Sequence, residues 1–192
     1  MLSLSHLGYG LASAIAGVAL WANLPTSITL PSSAASLEYL ANAKLKSIDG
    51  AQTFKLCREE AALLSSIKPQ LDEARVPLVA LVHQVVGNEV PAFQKFFVGD
   101  VFLDVERRFY GPKERWMSLV MGVMRAKVWL NIIRNKKAGI DFHGNLDGEG
   151  RLLGGVFVIA PGDRGIILEH REAEWGDLVN ITDVLSEVKS IS

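Results

Sequence analysis

Leu56-Cys57-Arg58-Glu59-Glu60-Ala61-Ala62-Leu63-Leu64-Ser65-Ser66 carries the only cysteine of the 192-residue chain, at a point where a helix begins. Leu56, Leu63, Leu64, Ile67 and Leu71 recur at helical spacing with charge on the opposite side, which predicts a helix over 56–67, kinked or restarted by Pro69. A thiol at a helix N-terminus is a candidate for redox chemistry. The unpaired backbone N–H groups and the positive end of the helix dipole there favour thiolate over thiol. Lys55 and Arg58 add positive charge, while Glu59 and Glu60 oppose it. The opposing reading makes Cys57 a small buried hydrophobe on the flank of the apolar stripe.

Working outward, Pro77-Leu78-Val79-Ala80-Leu81-Val82 is an all-apolar run after a proline. It suits a strand of a parallel sheet covered on both faces. Val101 to Leu103 reads as a very short strand. Leu152 to Ala160 and Gly165 to His170 read as a hairpin joined by Pro161-Gly162-Asp163-Arg164-Gly165. Helices are predicted over Ser36 to Ala43, after Asn88 through Phe97 with Pro91 in the first turn, over Arg115 to Arg134, and after Asn180. The polar stretch Lys44 to Thr53, the Phe109-Tyr110-Gly111-Pro112 turn and Asn145 to Gly150 read as loops. The order of elements is that of an α/β protein.

Composition narrows the function. With 49% hydrophobic and 21% charged residues the chain suits a single core. A net charge of −1 gives no electrostatic footprint for nucleic acid. One cysteine excludes an internal disulfide framework and a multi-cysteine zinc site. His6, His83, His143 and His170 show no ligand spacing, so neither a metal nor another cofactor is expected.

Residues 1–35 form a separate zone ahead of a domain at 36–192. Leu7 to Leu24 carries no charge, and the first acidic and basic residues are Glu38 and Lys44. Its length is marginal for a membrane span of about 20 residues, and it lacks the basic region of a signal sequence. Membrane contact or secretion stands against an apolar segment packed on the domain. Thr26 to Ser36 reads as a linker.

Other candidate positions carry weaker readings. Thr53 precedes Cys57 by four residues, where it caps the helix or bonds the thiol. His83 follows a predicted parallel strand, at the end where ligands gather, and is a loop residue or a base. Gly148 and Gly150 resemble part of a phosphate loop but precede a strand. Asn180-Ile181-Thr182 is a helix cap, or a glycosylation sequon if the chain is secreted. Lys113, Arg115, Arg125, Lys127, Arg134, Lys136 and Lys137 bias one region towards an anionic membrane or acidic partner, against a default solvated face.

Several motifs together resemble the peroxiredoxin-like 2 family. They are Leu-Cys-Arg-Glu-Glu-Ala at 56–61, Phe-Tyr-Gly-Pro at 109–112, Gly-Asn-Leu-Asp-Gly-Glu-Gly at 144–150, Leu-Gly-Gly-Val-Phe-Val at 153–158 and Gly-Ile-Ile-Leu-Glu-His-Arg-Glu at 165–172. Leu37-Glu38-Tyr39-Leu40 and Leu45-Lys46 match upstream. The resemblance implies a thioredoxin-like fold and an antioxidant, redox-regulatory protein, cytoplasmic and also secreted. Cys57 would be the nucleophile, Arg58 an electrostatic helper, and an external thiol of the thioredoxin or glutathione type the reductant.

One departure qualifies this expectation. The family pattern runs a strand into Cys-x-x-Cys, whose second cysteine matches Cys57. Here Phe54 stands three residues earlier, and Ser47 to Lys55 joins directly to the helix. The expectation is a thioredoxin-like fold that is incomplete. It lacks its central strand and the backbone partners that strand gives to Leu78–Val82 and the hairpin. Such a chain is an impaired redox protein or, alternatively, a non-catalytic secreted or cytoplasmic interaction protein, or a poorly folded splice form.

Overall fold

Val79–Val82, the apolar run after Pro77, forms strand β2, and it pairs in parallel with β3 (Asp100–Asp104), Leu81 facing Phe102. A third strand, β1 (Leu45–Ser47), lies antiparallel on the other edge of β3, giving the order β1–β3–β2. The computed structural model describes residues 4–47, 55–85, 96–139 and 150–191, with side chains from Gly8 in the first of these segments and from Arg58 in the second. The segment 48–54, the helix expected after Asn88, His143 and Gly148 therefore lie outside the described residues.

β1 corrects the reading of Lys44 to Thr53 as loop throughout. All three β1 residues are exposed, so no buried face marks them in the sequence. Their backbone groups satisfy the edge of β3, and the Val105 N–H donates to the Lys44 carbonyl at 3.1 Å.

The predicted hairpin forms from β4 (Gly155–Ala160) and β5 (Gly165–Arg171), with a 3-10 turn at Gly162–Arg164 and a register shift between Val158 and Ile159. Among the described residues the hairpin and the three-stranded sheet are separate sheets. Side chains connect them. Phe109 stands edge-on to Phe157 at 5.7 Å, the Tyr110 hydroxyl donates to the Leu81 carbonyl at 3.0 Å, and Arg171 donates to the Phe109 carbonyl at 2.7 Å.

The helices begin with α1 (Leu4–Ala22), α2 (Thr26–Thr29) and α3 (Leu37–Ala41), which Ser36 caps by accepting from the Tyr39 N–H. Next come α4 (Lys55–Ser66) and α5 (Lys68–Glu73), the latter opening on Pro69, so the proline restarts the helix. Ile67 and Leu71 bury against Val158, Val179, Val184 and Val188, while Ala61 packs with Phe97 near Leu78 and Ala80. The final helix, α8 (Ile181–Lys189), starts at Asn180, whose side chain accepts from the Thr182 N–H at 3.0 Å. That is the cap geometry its sequence predicts.

The single helix expected over Arg115 to Arg134 is instead two, α6 (Leu119–Met124) and α7 (Ala126–Lys137). Before α6 the chain is extended, with Trp116 bridged to Leu152 and the Met117 N–H on the Arg151 carbonyl. Between the helices Arg125 is extended at φ −86° and ψ 116°. Its guanidinium is buried and donates to the carbonyls of Ala22 and Leu24, to Thr26 Oγ1 and to Glu174. These long-range bonds outweigh the local helical preference of the sequence. They also hold part of the expected linker, since Thr26 is buried and donates to the Ala173 carbonyl at 2.6 Å.

Gly122 lets α6 approach Trp175, because a Cβ there would sit 1.9 Å from the indole ring. Gly122→Ala is expected to cost about 1–3 kcal/mol of stability by overpacking, measured by urea denaturation. Gly17→Ala on α1, where a Cβ meets open space, is expected to leave stability unchanged or raise it by up to about 1 kcal/mol.

Candidate functional site

Cys57 is the third residue of α4, in its first turn. The next residue, Arg58, places its guanidinium carbon 5.5 Å from the centre of the Phe96 ring, a cation–π arrangement.

The two carboxyl groups that follow are each engaged with the second half of the chain. Glu59 receives Arg134 Nε at 2.9 Å and Nη2 at 2.8 Å, a forked ion pair to α7. That pairing raises the Arg134 pKa. Glu60 accepts from the Val179 N–H at 3.1 Å, just ahead of α8. Burial pushes Glu60 up to about 7, against the bond from Val179, and the Asp177 charge adds to the rise.

A second buried acid lies in the same region. Glu172 accepts from the Gly154 N–H at 2.7 Å. Its carboxyl is surrounded by protein, although part of the residue still meets solvent. Burial pushes its pKa up to about 8, and the charge of Glu60 is the next cause. The mutual repulsion falls on whichever carboxyl ionises second, here Glu172. Arg115, 4% exposed, donates to the Glu172 and Gly154 carbonyls at 2.7 and 3.3 Å. Burial, then Arg171, lowers its own pKa. Asp177 accepts from the Ala173 N–H at 2.8 Å and lies 3.6 Å from His170 Nε2. Near neutral pH, therefore, Glu60 on the second turn of α4 and the nearby Glu172 both titrate.

The remaining candidates disperse. His83 stands at the carboxyl end of β2 with its ring edge-on to Tyr110 at 5.2 Å, which makes it part of the wall around the Tyr110–Leu81 hydrogen bond. Gly150 leads into the Leu152 bridge and then β4, not into a helix. Thr53 and Gly148 are outside the described residues. Among the described residues no group of three or more His, Cys, Asp or Glu is arranged to hold a metal.

The sequence reading treats Glu60 only as a charge opposing the thiolate. A signal for its burial is present. Glu60 falls on the apolar stripe itself, four residues after Leu56, three before Leu63 and seven before Ile67. A carboxyl on the core face of a helix is a buried carboxyl.

Both acids rise on folding from the ordinary 4.5. Each binds its proton more tightly in the folded state, so the stabilisation is full below pH 4.5 and fades as pH climbs through about 7 and about 8. The thermal midpoint is expected to fall between about pH 5 and about pH 8.5. Glu60→Gln with Glu172→Gln should flatten that profile and raise the midpoint at the alkaline end. Thermal denaturation followed by circular dichroism checks it.

A family model described as AhpC/TSA antioxidant enzyme matches residues 63–174. Peroxiredoxin-like 2A of Bos taurus is 45% identical over 207 positions, covering 96% of this chain and 93% of the relative. The Danio rerio protein is 44% identical over 208 positions, covering 96% of each chain, and the Homo sapiens protein is 44% identical over 207, covering 96% and 89%. An alignment of 207 positions exceeds the 192 residues of this chain, so at least 15 residues of such a relative have no counterpart here. No solved structure matches. The chain belongs to the peroxiredoxin-like 2 family, within the AhpC/TSA antioxidant group of the thioredoxin-like superfamily.

Proposed function

We propose that this chain is a thiol-dependent antioxidant and redox-regulatory protein in which Cys57 is the nucleophile and turnover is slow. The observation that carries the reading is the position of the only cysteine in the first turn of α4, in a chain of peroxiredoxin-like descent. There the helix dipole and the Arg58 charge favour thiolate. The thiolate attacks one peroxide oxygen. An S–O bond forms, the O–O bond breaks, and the departing oxygen takes a proton. Sulfur loses two electrons to become a sulfenic acid, and the peroxide gains them. A thiol of an external reductant, of the thioredoxin or glutathione type, then attacks that sulfur and water leaves. A further reductant thiol breaks the mixed disulfide and returns Cys57 as thiolate.

Slow turnover has two supports. A chain with one cysteine cannot close a disulfide of its own, and β2 and the hairpin belong to separate sheets among the described residues. The unmatched residues of the relatives fit the loss of a strand and of a first cysteine ahead of Cys57. The same two observations favour a second reading, a non-catalytic regulatory protein that keeps the scaffold. Dependence on an external thiol suits a cytoplasmic protein, and a secreted form suits the second reading.

Dilute peroxide followed by dimedone and peptide mass spectrometry tests the first reading. One adduct is expected at Cys57 and none in Cys57→Ser, with peroxide consumption sustained only when thioredoxin or glutathione is supplied. A folded protein whose Cys57 stays unmodified removes the catalytic reading and leaves the scaffold one.

A further inference from the structure

Helix α7 is built inside out. Its outward face carries Trp129, Leu130 and Ile133, exposed by 51%, 63% and 49%, while its inward face carries Val128, Asn131 and Asn135. Helix α6 continues the surface. Leu119, Val120 and Val123 are exposed, and with Met124 they line a shallow apolar cleft. The foot of α1 joins the same surface. Ala22 is fully buried, and the Asn23 side chain donates to the Met124 carbonyl and accepts from the Ala126 N–H, each at 2.8 Å. Above that foot, residues 8–18 of α1 are exposed all round, Tyr9, Leu11 and Ile15 among them. So large a contiguous apolar face marks an interaction surface.

Charge indicates what covers it. Residues 1–37 contain no Asp, Glu, Lys or Arg, and residues 115–139 contain six basic residues and no acidic one. Arg115 and Arg125 are buried, which leaves Lys127, Lys136 and Lys137 exposed around Trp129, Leu130 and Ile133. The carboxylates that meet this region are engaged, Glu174 buried against Arg125 with Lys127 3.7 Å from its other oxygen, and Glu59 paired to Arg134, so Lys136 and Lys137 carry most of the open positive charge. Between residues 8 and 18, α1 is exposed and carries no charge on any side, which suits the interfacial layer of a bilayer. A second copy docking on the same face would bring an equal set of lysines into the interface and no acidic residue of 115–139 to pair with them. No helix among the described residues is long and apolar enough to cross a membrane, so the fit is to a surface.

We propose that α1, α6 and the outward face of α7 form one docking face for an anionic lipid bilayer, the apolar side chains entering the interface and the lysines meeting the headgroups. Flotation of the full-length protein with vesicles tests it. Binding is expected to phosphatidylcholine vesicles holding about one-third phosphatidylserine, and to weaken at least about tenfold on pure phosphatidylcholine or in about 0.5 M salt. Lys136→Glu with Lys137→Glu should weaken it at least about thirtyfold. Leu130→Glu with Ile133→Glu should weaken it at least as much. All four positions are exposed, so circular dichroism should match the parent. Equal binding to neutral and anionic vesicles overturns the proposal, as does binding that the α7 variants leave intact. Failure to bind overturns it too, and a dimer in ultracentrifugation that Leu130→Glu with Ile133→Glu dissociates would assign the face to a second copy.

Discussion

Helix α4 holds the two halves of this protein together. Among the described residues its two sheets share no ladder, so the backbone pairing that unifies an ordinary α/β domain is replaced by helix packing and side chains. Ala61 of α4 packs with Phe97 beside the parallel strands, and Leu64 of the same helix packs against the cluster of Ile67, Leu71, Val158, Val184 and Val188 on the hairpin side. The two neighbouring carboxyls fix the rotation of the helix, Glu59 onto Arg134 and Glu60 onto the Val179 N–H. The position of α4 therefore depends on these two carboxyls as well as on hydrocarbon packing.

Arg125 does comparable work at the other end of the molecule. Four acceptors receive its guanidinium, and Glu174 balances its charge in a buried site. A buried cation without that set would carry its full desolvation penalty, and a lysine could not present the same fork. The arrangement breaks the helix at 125 and fastens the turn after α1 to the body. That attachment fixes the foot of an uncharged helix beside the junction of α6 and α7.

What was legible in the sequence follows the range of the causes. The apolar run 79–82, the hairpin, the restart at Pro69 and the Asn180 cap are set by residues a few positions apart, and the pattern displays them. β1 was not legible, because an exposed three-residue strand owes its existence to a partner edge about 55 positions away. Nor was the break at Arg125, whose cause lies about 100 residues earlier in Ala22, Leu24 and Thr26. The motif around Cys57 was legible as a family signature, and the membership holds. The protonation of its neighbours was not, because it depends on which acids the fold brings together, although Glu60 on the apolar stripe was the available clue.

That protonation changes the electrostatic balance at the start of α4. Counted from the sequence, Glu59 and Glu60 cancel Lys55 and Arg58. In the fold the Glu59 charge is matched by Arg134, and Glu60, raised to about 7, is protonated below neutrality. Less negative charge then opposes the positive end of the helix dipole at the first turn. Above pH 7 Glu60 ionises and Glu172 follows near 8, so negative charge grows beside the helix as pH rises. The acids that hold the helix in place thus also set the field at its first turn, and that field becomes more negative across the neutral range.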